Sequence, residues 1–203
     1  MALTIYNLKP KFQALLRPVC RQLAGKGITA NQVTLAALVL SLSGGIAIYF
    51  FGNCSVLFLL IPVVLFVRMS LNAIDGMLAR EHNMKSPLGA ILNEMGDVVS
   101  DAVLYLPFAF VPGISPTLII TIVLLSIFIE MMGVVAVQIG ASRRYDGPFG
   151  KSDRAFFFGL VALLLGCGIN AGLWLTVLLW ITVILSIVTL LNRAHRALTE
   201  IKA

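Results

Sequence analysis

The 203-residue sequence predicts an all-α polytopic membrane protein, with six transmembrane helices preceded by an N-terminal interfacial amphipathic helix. Three observations carry this. Hydrophobic residues make up 59% of the chain and charged residues 12%, where a soluble domain is nearer half and a quarter. The apolar residues fall in separable stretches, most of them near the ~20 residues that cross a ~30 Å hydrocarbon core as a helix. The basic residues gather on alternate connections. A soluble enzyme, a disordered tail and a disulfide-built secreted module are excluded. Strands are excluded too, because a lone strand leaves its backbone groups unpaired in lipid.

Residues 1–30 form the interfacial helix and its linker, and residues 31–203 the transmembrane domain. The first segment lacks the apolar core and cleavage site of a signal peptide. From Ile5 to Leu23 it instead places Ile5, Leu8, Phe12, Leu15, Leu16 and Val19 near one face, with Lys and Arg opposite, as suits a helix lying on a leaflet. Gly25-Lys26-Gly27 ends it. Thr29 and Gln32 read as a capping box for the first span. The spans run Val33–Phe51, Val56–Leu78, Leu88–Val111, Thr117–Ala141, Ser152–Gly168 and Leu173–Leu191. Ser152 is the expected cap of the fifth.

Lys9, Lys11, Arg17, Arg21 and Lys26 precede the first span. Arg80 and Lys85, then Arg143, Arg144, Lys151 and Arg154, then Arg193, Arg196 and Lys202, follow on the same side. The other three connections carry no Lys or Arg. By the positive-inside rule both termini are cytoplasmic. The net charge of +6 is thus a topology signal, and nucleic acid is not an expected partner. Cys54 and Cys167 fall near the outer face, where they are candidates for a disulfide. Gly159 and Gly166 put small residues on the fifth span, a weak sign of a dimer contact.

An ionisable group at membrane depth costs about 2.5 kcal/mol or more, so each one is a functional candidate. Arg68, Asp75, Glu94, Asp97, Asp101 and Glu130 qualify. On span two, Arg68, Asn72, Asp75 and Ala79 share a face at helical spacing; on span three, Gly89, Asn93, Asp97, Ser100 and Asp101 do. A short turn makes the two spans antiparallel neighbours. Asn72 and Asp75 then face Asn93 and Asp97, roughly 7 to 15 Å below the cytoplasmic surface. Oxygen ligands of this kind suit Mg²⁺, Mn²⁺ or Ca²⁺; the competing reading is a hydrogen-bonded seam between helices. Glu94 points about 100° away, toward a neighbouring helix. Glu130 is expected to pair with Arg68 or to line an acceptor cavity.

In order, these residues read Asn72-Ala-Ile-Asp75-Gly76-Met-Leu-Ala79-Arg80, eight residues, Gly89, three residues, Asn93, three residues, Asp97. This resembles the signature of the CDP-alcohol phosphotransferase (CDP-alcohol phosphatidyltransferase) family, D-x2-D-G-x2-A-R-x8-G-x3-D-x3-D. Six of its eight fixed positions match across 26 residues. The segment Gly27-Ile-Thr-Ala-Asn31-Gln-Val-Thr34-Leu35 resembles the family more loosely.

The resemblance implies a bacterial inner-membrane enzyme of phospholipid synthesis, homodimeric, with its active site on the cytoplasmic side. Such enzymes move a substituted phosphate from CDP-diacylglycerol, or a similar CDP-alcohol, to a small alcohol and release CMP. Four aspartates hold two divalent ions, Mg²⁺ or Mn²⁺. Carried over, the metal ligands are Asn72, Asp75, Asn93 and Asp97; Asp97 is the base, with Asp101 one turn beyond as its alternative. Gly76, Ala79, Arg80 and Gly89 line the CDP site. Arg143, Arg144, Lys151 and Arg154 are candidates for an acceptor that carries phosphate. Asn at 72 and 93, where the family has Asp, leaves two formal negative charges instead of four, which predicts weaker metal binding. A catalytically impaired CDP-lipid or metal binder, and a divalent-cation transporter, are the competing functions.

Overall fold

The computed structural model describes residues 9–202. Ile5 and Leu8 of the expected amphipathic face lie outside them. Seven helices are present among the described residues: α1 (Lys9–Gly25), α2 (Ala30–Phe51), α3 (Ser55–Glu81), α4 (Pro87–Tyr105), α5 (Pro116–Gln138), α6 (Lys151–Gly166) and α7 (Leu173–Lys202). Of these, α2, α3, α5 and α7 are long and apolar enough to cross a membrane by themselves. Large apolar side chains such as Phe50, Phe51, Val56 and Phe66 stand exposed on the outside of the bundle, as expected where lipid is the solvent. The two remaining expected spans depart from the simple pattern for identifiable reasons. Helix α4 carries Glu94, Asp97 and Asp101. It also tightens into a 3₁₀ turn over Leu106–Phe110, where Pro107 brings no N–H to continue an α-helix. Helix α6 is only 16 residues long.

Local sequence explains the helix starts. Thr29 Oγ1 accepts from Gln32 N–H while Gln32 Oε1 accepts from Thr29 N–H, the reciprocal box that opens α2. Ser86 caps α4 by accepting from Gly89 N–H at 3.0 Å, with Pro87 following. The cap of α6 differs from expectation. It is Gly150, whose N–H bonds Asp153 Oδ2 at 2.9 Å. Asp153 reaches back to the helix entry and places a carboxylate at the positive end of the dipole, so Ser152 is not needed there.

Helix α2 packs on α3 and α4, α3 on α6, and α5 on α7, while α1 lies against α3. Phe12, Leu16, Cys20 and Leu23 form the docked side of α1, leaving Leu15 and Val19 exposed. Phe12 meets the Phe66 ring edge-on, and Arg17 pairs with Glu81 at 3.0 Å. Burial pushes the Cys20 thiol up from its usual range, as does the nearby Glu81 carboxylate. Cys54 and Cys167 are free and exposed, so the disulfide considered above is not formed. Gly159 and Gly166 face α3 within the chain: a Cβ on Gly166 would stand 2.7 Å from Leu59 Cδ2. They serve internal packing and lend no support to a dimer.

The connection from α5 to α6 is pinned to α7. Phe149 N–H donates to Thr189 Oγ1 at 2.9 Å. Gly147 takes φ +123°, and a Cβ there would meet Thr189 Cα at 2.9 Å. Gly147→Val should therefore cost about 2 kcal/mol of stability, read as a lower melting temperature of the protein in detergent. An unchanged melting curve would show that this loop does not need its tight seat on α7.

Candidate active site

Helices α3 and α4 bring their polar faces together. Asn72 Nδ2 donates to Asp97 Oδ1 at 3.1 Å. The carboxylate offers only lone pairs, so the amide must turn its N–H₂ toward it. Asp75, one turn further along α3, is buried at 3% exposure. Its Oδ2 accepts from Thr34 Oγ1 on α2 at 2.7 Å. Its Oδ1 is buried with no hydrogen-bond partner among the described residues. An orphaned carboxylate oxygen at membrane depth is costly, and a ligand bound there would satisfy it. Asp97 and Lys151 are both near enough to act on the charge of Asp75. Asn93 is half-buried on the same face of α4.

The residues expected to line a nucleotide lie at the end of α3 and the start of α4. Arg80 is exposed at the end of α3 and curls back over Gly76, where a Cβ would lie 3.1 Å from the guanidinium. Ala79 is half-buried between them in sequence. Gly89 leaves room for Asn31: a Cβ would stand 2.6 Å from Asn31 Oδ1 and 3.0 Å from Ser86 Oγ. A groove lined by Thr34, Leu35 and Leu38 of α2 and Ile91, Met95 and Gly96 of α4 opens beside Asp75's partner Thr34. It is almost wholly apolar.

The basic residues of the α5–α6 connection do not act as one group. Lys151 Nζ contacts Asp97 Oδ1. Arg154 is fully buried and holds Asp101 Oδ2 through Nε and Nη2, both at 2.8 Å, and Glu130 Oε1 at 3.0 Å. Arg68, equally buried, approaches Asp101 Oδ1 at 2.6 Å from the other side. Asp101 is therefore held between two guanidinium groups and is not free to supplement the site's charge. Glu130 pairs with Arg154, Arg143 and Arg193, not with Arg68. Arg143 binds Glu94 through two hydrogen bonds of 3.0 and 2.7 Å, so Glu94 meets the α5–α6 connection where a neighbouring helix was expected. Arg144 pairs with Asp146 and with Glu200 of α7. Three of the four residues proposed for an acceptor are thus in structural ion pairs, and the fourth sits on Asp97.

Among the described residues no three His, Cys, Asp or Glu side chains converge as a metal cluster. Asn at 72 and 93 removes two carboxylates, and the arginines take Asp101. One side chain and one contact escaped the sequence: Thr34, and the reach of Lys151 to Asp97. Thr34 lies in the Asn31–Leu35 segment noted above, three residues past Asn31, and that spacing was the available signal. The lysine contact to Asp97 had none, since 54 residues separate the two positions.

The comparisons agree with this architecture. The profile of the CDP-alcohol phosphatidyltransferase family matches residues 27–188. The Inner membrane protein YnbA of Escherichia coli K12 is 48% identical over 196 residues, 97% of each chain. An Archaetidylinositol phosphate synthase of Pyrococcus horikoshii is 31% identical over 96 residues, 47% of this chain and 48% of that one. In structure, the Mycobacterium tuberculosis phosphatidylinositol phosphate synthase crystallised with CDP-DAG bound superposes with a TM-score of 0.72 at 20% identity, covering 89% of this chain and 92% of that one. The same synthase in complex with manganese and citrate gives 0.67 at 20% identity, covering 90% and 88%. The chain belongs to the CDP-alcohol phosphatidyltransferase family, a class of membrane-embedded enzymes.

Asp101 tests the division between site and scaffold. Asp101→Ala leaves Arg68 and Arg154 buried without their shared carboxylate, which should lower stability by about 3–5 kcal/mol in thermal unfolding. A variant that melts normally but has lost turnover would instead make Asp101 a catalytic group.

Proposed function

We propose that this enzyme transfers a substituted phosphate from CDP-diacylglycerol, or a similar CDP-linked lipid, to a small alcohol at the α3–α4 face just under the cytoplasmic membrane surface. The observation that carries the reading is the buried, half-satisfied Asp75 one turn from Asn72, which bonds Asp97, within the family's residue spacing. The apolar groove at Thr34 supports a lipid-linked donor, since acyl chains can lie along α2 and α4 while a polar head reaches Asp75. The related synthase with CDP-DAG bound supports the same donor class.

Asp75 Oδ1, with the amide oxygen of Asn93 and the remaining oxygen of Asp97, would hold Mg²⁺ or Mn²⁺ against the donor's pyrophosphate, while Asn72, expected as a ligand, turns its N–H₂ to Asp97 instead. Such an ion neutralises the diphosphate and stabilises charge on the bridging oxygen. Gly76, Ala79, Arg80 and Gly89 would border the CDP moiety, with the Arg80 guanidinium offering a fork to phosphate. Asp97 takes the proton from the acceptor hydroxyl. The acceptor oxygen then forms a bond to the lipid-bearing phosphorus. The bond from that phosphorus to the bridging oxygen breaks, and its electron pair leaves with CMP.

In this reading α2 to α7 all cross the inner membrane and both termini are cytoplasmic. The shorter α6 packs against α3, and α4 reaches across through its 3₁₀ extension. Residues 9–25 rest at the cytoplasmic interface with Leu15 and Val19 toward lipid. A homodimer follows from the family resemblance alone. The free, exposed Cys54 and Cys167 should react with a membrane-impermeant maleimide in spheroplasts without lysis. Labelling only after lysis would invert the topology.

The function is tested by mixing purified protein, CDP-diacylglycerol, Mg²⁺ or Mn²⁺ and a panel of alcohols, including glycerol 3-phosphate, serine and inositol phosphates. CMP release that needs both metal and one acceptor is expected. Asp97→Asn should reduce it by roughly 10²-fold or more with an unchanged melting temperature, and full activity would remove Asp97 from the chemistry. Metal and nucleotide binding without CMP would point to an impaired relative, and metal flux into liposomes to a transporter.

A further inference from the structure

We propose that Lys151 is a built-in cation that replaces one of the two divalent ions expected of this family, so that the site holds a single ion on the Asp75 side. The inference rests on the reading of Asp75 and Asp97 as a metal site. Three observations lead to it. Asp97 Oδ1 already receives two donors, the Asn72 amide N–H₂ and the Lys151 ammonium. An oxygen occupied in this way has no lone pair left for a metal. Asn72 itself turns a donor, not an acceptor, into the space between α3 and α4. Asp101 cannot supply a substitute carboxylate, because Arg68 and Arg154 hold it.

Lys151 is not a loose surface side chain that happens to fall on Asp97. Its side chain is 19% exposed, and it is the first residue of α6. On one side Phe149 is bonded to Thr189 of α7. On the other, Gly150 is tied to Asp153, and Arg154, three residues on, is locked into Asp101 and Glu130. The backbone that carries the lysine is thus fixed from both directions, and the ammonium is delivered to the α4 carboxylate by α6.

Charge explains why the substitution hangs together. Two carboxylates and one ammonium leave the site with one net negative charge. Before a donor's diphosphate arrives, one divalent ion brings it within a single charge of neutrality, whereas a second would leave it strongly positive in a low-dielectric setting. The asparagines at 72 and 93 and the lysine at 151 are then parts of one change. The asparagines remove the charge that a second ion would have balanced, and the lysine occupies its place on Asp97.

The test is an equilibrium Mn²⁺ titration of the full-length protein in detergent with CDP present, read by electron paramagnetic resonance. The unaltered chain should bind one Mn²⁺. Lys151→Met frees Asp97 Oδ1 and should tighten Mn²⁺ binding by about tenfold or more, while Lys151→Arg should restore the original affinity. Two ions in the unaltered chain, or equal or weaker binding in Lys151→Met, would overturn the proposal. The stoichiometry is measured on the unaltered protein and does not depend on a variant folding. One ion lost in Asp75→Asn but indifferent to Lys151→Met rejects the lysine's role alone. No Mn²⁺ bound by any of these proteins rejects the metal site together with it.

Discussion

The fold turns on Asp101, a buried carboxylate held between Arg68 of α3 and Arg154 of α6. Three helices meet at one anion, and each arginine is fully enclosed. Charges in such a place are tolerated only when paired and hydrogen-bonded. Glu130 of α5 extends the chain of pairing to Arg143 and to Arg193 of α7. Arg193 also donates to the Ile129 and Asp146 carbonyls. Four of the bundle's helices are thereby linked to a fifth by groups that cannot separate without exposing a bare charge.

That network decides where the site residues stand. Arg154 fixes the beginning of α6, and with it Lys151; Asp101 fixes the rotation of α4, and with it Asp97 one turn earlier. Asp75 is set by a different partner, Thr34 on α2. The face formed by Asn72, Asp75 and Asp97 is therefore supported from three directions by scaffold contacts. The long α7 takes part at a distance. Its end reaches beyond the expected span, and Glu200 holds Ser142 and Arg144, which steadies the connection leading to Lys151. Gly133 on α5 contributes by absence, because a side chain there would displace the Arg143 guanidinium.

The two helices that are least like free-standing spans, α4 and α6, each carry several ionisable residues. Helix α4 bears three acids, and α6 is short and begins with Lys151, Asp153 and Arg154. Neither would be comfortable alone in lipid. Each is accommodated by its neighbours, α4 by α2 and α5, and α6 by α3. The long apolar helices α2, α3, α5 and α7 present their hydrophobic surfaces outward and so make a protected interior for polar groups.

Much of this was legible in the chain itself. The all-helical class and the pairing of the α3 and α4 polar faces follow from hydropathy, and from helical spacing between residues a short turn apart. The Thr29–Gln32 cap is equally local. The family follows from Asp75-Gly76 and Ala79-Arg80 set against Gly89 and Asp97. What tertiary structure decided is the allotment of charges. Six ionisable side chains at membrane depth were visible in the sequence, but their partners lie up to 63 positions away, as with Arg193 on Glu130, Arg154 on Asp101 or Lys151 on Asp97. Helical periodicity says which face a residue occupies. It carries no information about which distant helix, at what height and rotation, will meet that face, and a carboxylate's role depends on that encounter.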